Sequence, residues 1–465
     1  MSNTKLSAID RINQLLDDSS FVEVGGYITS RNTDFNLSNK ENPADGVLTG
    51  YGTIEGNLVY VYSQDASVLG GSIGEMHAGK ITKMYDMAMK VGAPIIGLVD
   101  CAGLRLQEAT DALNAFGEIF YQQSMASGVI PQITGVFGVC GGGAALIPAF
   151  SDFTFISKEN GKLFVNSPNA LAGNYEEKCD TATAEFQATN VGNVDRLCDN
   201  DAEVLAEIRQ LIRIIPANNE DDLSYEECTD DLNRAVALSG CEKDARGIFQ
   251  AISDNNFFME LKKDFAPDMV IGLIRLNGIT VGCVGNQTEV SEGLLTTKAA
   301  YKAAEFITLC DAFNIPILTV ASAKGFKADI CEEKTIAKSI AKLTYAYANA
   351  TVPKVTVVVG EMFGTAYVAM NSKALGADIV YSWPNAKIGM MDAVAAAKIM
   401  YDGDKDVTEK AAAYDELQSS ALAAAKRGYV DDIIEPEATR KRVIASFEML
   451  FTKREDRPGK KHGTV

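Results

Sequence analysis

Apolar runs and amphipathic stretches alternate along the whole chain. In the first half, a stretch of helical period at residues 84–90 precedes an apolar run at 95–99, and a predicted helix at 111–126 precedes a second run at 132–137. Strands that are apolar throughout and separated by helices are typical of a parallel sheet covered on both faces. The pattern therefore predicts an α/β fold.

The second half of the chain repeats the spacing of the first half. One constant displacement along the sequence, here called the repeat shift, superposes glycines and prolines without a gap, at Gly50/Gly272, Gly56/Gly278, Gly71/Gly293, Pro94/Pro316, Gly103/Gly325, Pro131/Pro353, Gly138/Gly360 and Gly142/Gly364. Because glycine and proline mark special backbone dihedrals, this shared spacing implies a shared chain path. We predict a tandem duplication with domains at 1–225 and 226–465, joined near the acidic stretch at 218–222.

Composition restricts the class of protein. The chain has 465 residues, of which 47% are hydrophobic and 23% charged, and these values exclude collagen, a coiled coil and wholesale disorder. No apolar run approaches the ~18–20 residues of a membrane-spanning helix, and no apolar signal segment follows the first residues. We therefore expect a cytoplasmic protein that does not insert into membranes.

Net charge and histidine content restrict the partners and the catalytic residues that can be expected. The formal net charge is -19, so the surface repels phosphate backbones and anionic lipid, and nucleic acid is not an expected partner. The nine cysteines form no C-x-x-C motif, which removes zinc ribbons and thioredoxin-like sites. Because His77 and His462 are the only histidines, catalysis is expected not to depend on imidazole, and no metal site is predicted.

Two glycine-bearing turns in each copy follow core strands and form the candidate site. Ligands of α/β sheets bind beyond the carboxyl ends of strands, and N–H groups at a helix start converge on an oxygen that becomes negative. The predicted amide holes comprise Gly103, Leu104, Gly142 and Gly143 in the first copy, and Gly325, Phe326, Gly364, Thr365 and Ala366 in the second. The alternative is that these glycines only permit tight packing of strands against helices.

Three further motifs carry weaker signals. The segment around Cys140 fits a cysteine nucleophile elbow, but its base would have to be His77, so a packed cysteine is favoured. A glycine-rich motif ending at Lys80 imitates a P-loop, but Ile81 replaces the hydroxyl residue that holds Mg²⁺, and we reject it. Glu108 follows the first turn, where an exposed carboxylate is more common than a catalytic acid or base.

Several short stretches are more specific than any single motif. They are Ala126-Ser127-Gly128-Val129-Ile130-Pro131-Gln132, Gly142-Gly143-Ala144, Val284-Gly285-Asn286-Gln287, Cys310-Asp311-Ala312-Phe313-Asn314-Ile315-Pro316, Gly364-Thr365-Ala366-Tyr367, Ser382-Trp383-Pro384 and Arg427-Gly428-Tyr429-Val430-Asp431-Asp432. Together they resemble the carboxyltransferase (beta-type) subunits of biotin-dependent acyl-CoA carboxylases and related acyl-CoA decarboxylases. The resemblance covers roughly residues 20–465.

The resemblance implies a tandem pair of crotonase-like domains, each a ClpP/crotonase ββα-superhelix, with the active site between the N-domain of one subunit and the C-domain of another. It implies that Gly142 and Gly143 stabilise the enolate of an acyl-CoA thioester. Thr365 and Ala366 would face the ureido oxygen of carboxybiotin. It further implies substrate-binding roles for Gly103, Leu104 and Arg105 on the acyl-CoA side, and for Gly325, Phe326 and Gly364 on the biotin side. Val368, together with Leu104, would shape the pocket that selects the acyl group.

The same resemblance implies partners. The sequence has no biotinyl-lysine segment, so biotin would arrive on a biotin carboxyl carrier protein, together with biotin carboxylase or decarboxylase partner subunits, and a dimer-based homohexamer is expected. Two alternatives stay open. One is a biotin-independent, crotonase-type acyl-CoA decarboxylase, and the other is a non-catalytic paralogue in a mixed complex.

Four departures from the family pattern motivate these alternatives. The Ser-Gly-Gly-Ala-Arg turn of the family is Cys101-Ala102-Gly103-Leu104-Arg105 here, and its Asp-x-Pro-Gly-Phe turn is Ser322-Ala323-Lys324-Gly325-Phe326. A family histidine is replaced by Ser339, and a Met-Gly-Ala-x-Gly-Ala segment by Met391-Asp392-Ala393-Val394-Ala395-Ala396. Most of these changes fall on the side expected to bind biotin.

Overall fold

The apolar runs of the sequence form the buried central strands of two sheets. In this computed structural model the chain divides into two units, Met1–Ser224 and Tyr225–Val465. The structure describes residues 5–33, 35, 42–174, 179–221, 225–402, 406–459 and 462–463. Within these ranges, no helix is long and apolar enough to cross a membrane.

The first unit contains one mixed sheet. Its strands are β1 (Val22–Glu23), β2 (Val47–Ile54), β3 (Asn57–Gln64), β4 (Ile95–Cys101), β5 (Gln132–Gly141), β6 (Phe153–Ser157), β7 (Lys162–Phe164) and β8 (Arg196–Cys198). The order is β1-β2-β3-β4-β5-β6-β8, with β7 beside the end of β5. The strands from β3 onward run parallel. The helices are α1 (Ala8–Leu15), α2 (Glu75–Val91), α3 (Ala109–Ala126), α4 (Leu146–Phe150), α5 (Ala184–Phe186) and α6 (Asp201–Ile214).

The second unit repeats this sheet and adds two short ones. Its strands are β9 (Phe258–Leu261), β10 (Met269–Leu276), β11 (Ile279–Asn286), β12 (Leu294–Leu295), β13 (Ile317–Ala321), β14 (Gly325–Phe326), β15 (Lys354–Val358), β16 (Glu361–Phe363), β17 (Ile379–Ser382), β18 (Lys387–Gly389) and β19 (Asp432–Ile433). The main sheet has the order β19-β17-β15-β13-β11-β10-β9, and β12 pairs with β14 and β16 with β18.

The helices of the second unit cover its sheet and extend beyond it. They are α7 (Ala245–Ile252), α8 (Thr288–Ser291), α9 (Thr297–Ala312), α10 (Ile330–Glu333), α11 (Ile336–Asn349), α12 (Gly364–Ala369), α13 (Ala393–Met400), α14 (Val407–Tyr414), α15 (Ala421–Lys426) and α16 (Thr439–Leu450). Helices therefore follow most strands, as the alternating sequence pattern predicts.

The register of the strands shows that the two units share one backbone path. The pairs Gly50↔Val61, Val61↔Ile96 and Ile96↔Ile133 of the first sheet recur as Gly272↔Cys283, Cys283↔Leu318 and Leu318↔Val355 of the second. Every partner is displaced by the same repeat shift that carries Gly50 onto Gly272 in the sequence. The predicted tandem duplication of one α/β unit is therefore confirmed at the level of backbone pairing.

A close approach of backbones explains one pair of matching glycines. A Cβ atom at Gly50 would lie 2.2 Å from the carbonyl oxygen of Val22, and one at Gly272 would lie 2.3 Å from that of Met259. Each oxygen belongs to the short strand that pairs antiparallel with the glycine's own strand. Only glycine leaves room for this close approach of paired strands, which explains why both copies have glycine at this position.

Each unit also buries one lysine at the repeated position. Lys80 on α2 donates from Nζ to the carbonyl oxygens of Ala44 and Val47, and the former distance is 2.8 Å. Lys302 on α9 donates to three carbonyl oxygens, the shortest bond being 2.7 Å to Phe265. Burial lowers the pKa of Lys80 to about 8 and that of Lys302 to about 7. Both amines tie a loop to the helix that covers the sheet.

Replacement of Lys80 by methionine should destabilise the first unit. Methionine keeps the apolar stem but leaves two buried carbonyl oxygens without their donor, at a cost of about 2 kcal/mol in the free energy of unfolding. Urea unfolding followed by circular dichroism measures the change. Lys83→Met, an exposed substitution on the same helix, is the matched control and should unfold as the wild type does.

Candidate functional site

Two turns of the first unit meet at the carboxyl ends of β4 and β5. Cys101 and Cys140 are register partners at these strand ends. A Cβ atom at Gly103 would lie 3.0 Å from the carbonyl oxygen of Gly141. The turn after β4 and the turn after β5 are therefore in backbone contact, and the structure brings the four predicted residues of the first hole together.

The turn after β5 begins a helix with free amides. Gly142–Ala145 form a single turn of 3-10 helix, and the first N–H groups of a helix have no intrahelical acceptor. Gly142 has φ 63°, and no heavy atom lies within 4 Å of the position a Cβ would take there. The amides of Gly142 and Gly143 therefore have no acceptor within this helix.

Of the two amides expected from the turn after β4, one is used within the protein. The Gly103 N–H donates to Cys101 Sγ at 3.3 Å, so this amide is used within the protein. On either side of Leu104, the Gly103 carbonyl accepts from Ile73 N at 2.9 Å and Arg105 N donates to the Ile73 carbonyl at 3.0 Å. In the described part of the chain, the Leu104 N–H is thus the amide of this turn that remains for a ligand.

Arg105 was expected to bind substrate, and the structure corrects this expectation. Its side chain is fully buried and pairs with Asp45 at 2.5 Å and Glu108 at 2.8 Å. Its Nη2 also donates to the carbonyl oxygen of Ser72 at 2.7 Å. Burial raises the pKa of Asp45, while the positive charge of Arg105 acts in the opposite direction. The side chain of Arg105 is therefore engaged inside the protein, where it holds the turn in place.

The remaining polar groups near the first hole are also structural. Glu108 is buried, contrary to the expectation of an exposed carboxylate, and accepts from Glu75 N at 2.6 Å at the start of α2. His77 is fully buried between Gln64 and the Asp45 carbonyl, and burial lowers its pKa to about 3. No general base is therefore supplied by these side chains.

The structure confirms both sequence predictions for these motifs, a packed Cys140 and no P-loop at Lys80. Cys140 is fully buried, donates from Sγ to the Ala144 carbonyl oxygen at 3.3 Å, and has its pKa raised by burial. It is a packed thiol, as favoured from the sequence. Gly79 and Lys80 lie inside α2, so the P-loop motif forms no phosphate loop.

A cavity of about 560 Å³ contains the predicted residues of the second hole. It is lined by Lys324, Gly325, Phe326, Glu361, Phe363, Gly364, Thr365, Ala366, Met390, Met391, Asp392 and Ala395. Gly364 begins α12 with φ 61°, so the amides of its first turn lack intrahelical acceptors. Val368 also lies on α12 and is 37% exposed, but it does not line the cavity.

Contacts beneath the cavity fix the two turns that form it. Ala323 N donates to Met362 Sδ at 2.9 Å, and Phe363 N donates to the Ala323 carbonyl oxygen at 3.0 Å. Met362 is the counterpart of Cys140 under the repeat shift, so a sulfur atom supports the turns in both units. Ser339, which replaces a family histidine, is fully buried and donates to the Ile336 carbonyl oxygen.

The cavity also holds residues that the glycine pattern did not identify. Glu361, Phe363 and Met390 line it without any motif in their favour. The sequence signal was clearer for Asp392, since it stands where the family pattern has glycine. Its carboxylate accepts from two amides at the start of α13, at 3.0 and 3.1 Å.

The family profile of the carboxyl transferase domain matches residues 1–465. The chain belongs to the carboxyl transferase family. This finding confirms the resemblance and identifies the chain as a subunit of an enzyme of this family.

Relatives match the sequence of this carboxyl transferase over nearly its full length. It is 40% identical over 479 residues to the propionyl-CoA carboxylase beta chain of Roseobacter denitrificans, covering 99% of this chain and 94% of the relative. It is also 40% identical to methylmalonyl-CoA decarboxylase subunit alpha of Veillonella parvula, with 99% and 93% covered. The mitochondrial propionyl-CoA carboxylase beta chain of Rattus norvegicus is 40% identical, with 99% and 88% covered.

A solved structure supports the fold of the carboxyl transferase. The transcarboxylase 12S, described as a hexamer that binds substrate within a multienzyme core, superposes with a TM-score of 0.95 at 36% identity, covering 99% of this chain and 93% of that one. The predicted crotonase-type duplication is therefore confirmed. The roles of the individual site residues stay predictions.

Protonation of His77 should couple stability to pH. The pKa of histidine is 6.5 in an ordinary setting and about 3 for His77 in the folded protein, so the unfolded state binds the proton first as the pH falls. The free energy of unfolding should decline below pH 6.5, by about 2 kcal/mol at pH 5 on account of this residue. Urea unfolding of His77→Gln should show a flatter pH dependence than the wild type.

His462→Gln is the control for this experiment, because His462 is the other histidine and is exposed. It should leave the wild-type pH dependence unchanged. An equally steep decline in His77→Gln would show that other groups cause the loss of stability in acid.

Proposed function

We propose that this chain is the carboxyltransferase subunit that moves a carboxyl group between biotin on a partner carrier protein and the α-carbon of a short acyl-CoA. The observation that carries the proposal is the pair of amide turns at the carboxyl ends of neighbouring strands, present in both units. Relatives named for propionyl-CoA and methylmalonyl-CoA support a short acyl group.

In the first unit, the proposed ligand is the acyl-CoA thioester. When the α-carbon loses or gains the carboxyl group, negative charge develops on the thioester oxygen. The amides of Leu104 and Gly143 would donate to this oxygen, and preorganised donors of this kind stabilise the developing charge without an ionised side chain. The burial of His77, Glu108 and Cys140 supports a reaction that uses backbone amides.

In the second unit, the proposed ligand is the ureido ring of biotin, which is a substrate here because another chain would deliver it. The cavity of about 560 Å³ has apolar walls from Phe326, Phe363 and Met390, which suits a compact bicyclic ring. The amides of Thr365 and Ala366 would donate to the ureido oxygen. As the N–C bond to the carboxyl group breaks, the new C–C bond forms, and the α-proton passes to the ring nitrogen.

The proposal includes partners and a location. A biotin carboxyl carrier protein and biotin carboxylase or decarboxylase subunits would supply and recharge the carrier, and a dimer-based homohexamer is proposed on the strength of the hexameric transcarboxylase core. A reducing compartment such as the cytoplasm suits the nine free cysteines, although the name of the rat relative refers to mitochondria.

One observation favours a second candidate, a decarboxylase that acts without biotin. Asp392 and Ala395 line the second cavity at positions where the family pattern has glycine, so they reduce the room for a ring. The two candidates differ in a direct assay. Loss of carboxylate from malonyl-, methylmalonyl- and glutaconyl-CoA should depend on added free biotin under our proposal and should be blocked by avidin, whereas the second candidate requires neither effect.

Replacement of Gly143 by valine should abolish carboxyl transfer. A Cβ at this position would lie 3.3 Å from the Phe116 ring, which a small ring shift accommodates, while the rest of the side chain covers the amide hole. Removing one oxyanion donor typically costs about 10²–10³ in turnover, and covering the hole should cost at least as much. Biotin-dependent decarboxylation of methylmalonyl-CoA measures the effect.

Gly79→Val is the matched control, because Gly79 is exposed on α2 and nothing lies within 4 Å of its Cβ position. This variant should keep wild-type turnover. Circular dichroism should show both variants folded, and full activity of folded Gly143→Val would remove the first hole from the mechanism.

A further inference from the structure

A charged pair distinguishes the second cavity from the equivalent turns of the first unit. Lys324 Nζ lies 2.9 Å from Glu361 Oε2, and the two side chains retain 45% and 36% of their exposure. Under the repeat shift, the first unit has Ala102 and Val139 at these positions. The pair is therefore a feature that the second cavity does not share with the equivalent turns of the first unit.

Lys324 supplies the positive charge in the lining of this cavity. It is the only cation among the described residues that line it, alongside the carboxylates of Glu361 and Asp392, so the lining has one net negative charge. Lys387 is the cross-strand neighbour of Glu361, but it pairs with Asp415 at 2.9 Å and does not line the cavity. Entry of an anionic group therefore depends on Lys324.

The chemistry of an ammonium group allows a second partner. Lysine has three N–H donors, and Glu361 accepts from Lys324 at one contact. Bonds between an ammonium and a carboxylate are charge-assisted and are stronger than neutral hydrogen bonds. In the proposed reaction, the group that is transferred is an anionic carboxylate on the ring nitrogen, and the uncarboxylated ring of carrier-bound biotin lacks this charge.

We propose that Lys324 binds the carboxylate of N-carboxylated biotin and thereby distinguishes the carboxylated ring from the free one. Glu361 is the competing acceptor that holds the ammonium beside the cavity when no ligand is bound. This inference rests on the proposed function, because it assigns a role to a residue of the proposed biotin cavity.

Equilibrium binding of two matched probes to the full-length chain tests this role. The probes are N1′-carboxybiotin amide, in which the valerate side chain is capped as it is on a carrier, and its N1′ methyl ester, which is uncharged. Both are used in mildly alkaline buffer, where carbamates persist. Titration calorimetry should show that the wild type prefers the acid. Lys324→Gln should weaken binding of the acid by about 10- to 100-fold with little change for the ester, and Lys324→Arg should preserve the preference.

Glu361→Gln separates a binding role from a structural one. Removal of the competing acceptor should strengthen binding of the acid, whereas an ion pair that merely held the turn would make this variant bind more weakly, as Lys324→Gln does. Lys327→Gln is the control, since Lys327 belongs to the same segment, pairs with Asp329 and does not line the cavity. It should bind both probes as the wild type does.

The outcomes are distinguishable from failure of the proposed function. Equal affinity of the wild type for acid and ester, or weaker acid binding in both Lys324→Gln and Glu361→Gln, would overturn the role of Lys324 while the biotin cavity stands. If the wild type binds neither probe, the proposed biotin cavity is itself wrong, and this inference falls with it.

Discussion

An amide N–H that is to bind an oxygen of developing charge must be left without an acceptor inside the protein. This constraint shapes the strand ends in both units. A helix start supplies such amides, but the chain has to turn sharply from the strand into the helix to present them. Gly142 and Gly364 make this turn with φ 63° and 61°, a region that residues with a Cβ rarely adopt. In both units these glycines begin a helical turn directly after a core strand.

The two units stabilise their turns in different ways. The first buries a complete charge cluster, in which Arg105 joins Asp45 and Glu108, and Glu108 in turn caps α2. Such clusters gain little net stability from their charges, but removal of one member leaves a buried charge without a partner. In the second unit, Met362 Sδ accepts from Ala323 N as Cys140 supports the first unit, but the ion pair of Lys324 and Glu361 stays half-exposed at the cavity.

Much of the fold could be predicted from the sequence, because glycine and apolar spacing report directly on backbone path and burial. The role of Arg105 could not, since an arginine after a glycine turn looks the same whether it faces a ligand or the core. Its partner Asp45 is 60 residues away in the sequence. The positions of Glu361 and Met390 in the cavity could not be predicted for a related reason, because nothing in their local sequence marks them as cavity residues. The role that a residue has in the family can therefore be assigned to this chain only when the contacts of that residue are known.

The strand register also records where the two copies tolerated change in length. Partners keep the repeat shift up to the pair Ile133 and Val355, but the later counterparts, Phe153 with Ile379 and Leu197 with Ile433, lie progressively further apart in the sequence. The repeat shift is therefore kept from β2 and β10 through the strands that carry the amide turns. It is lost on either side of them, because the partners of Gly50 and Gly272 on the first strands, Glu23 and Glu260, are also further apart in the sequence. An insertion between those strands would have moved one turn past the other, whereas a change in length elsewhere alters only the outer strands of the sheet. Changes in length after the ancestral duplication are therefore found on both sides of the strands that position the turns and not between those strands.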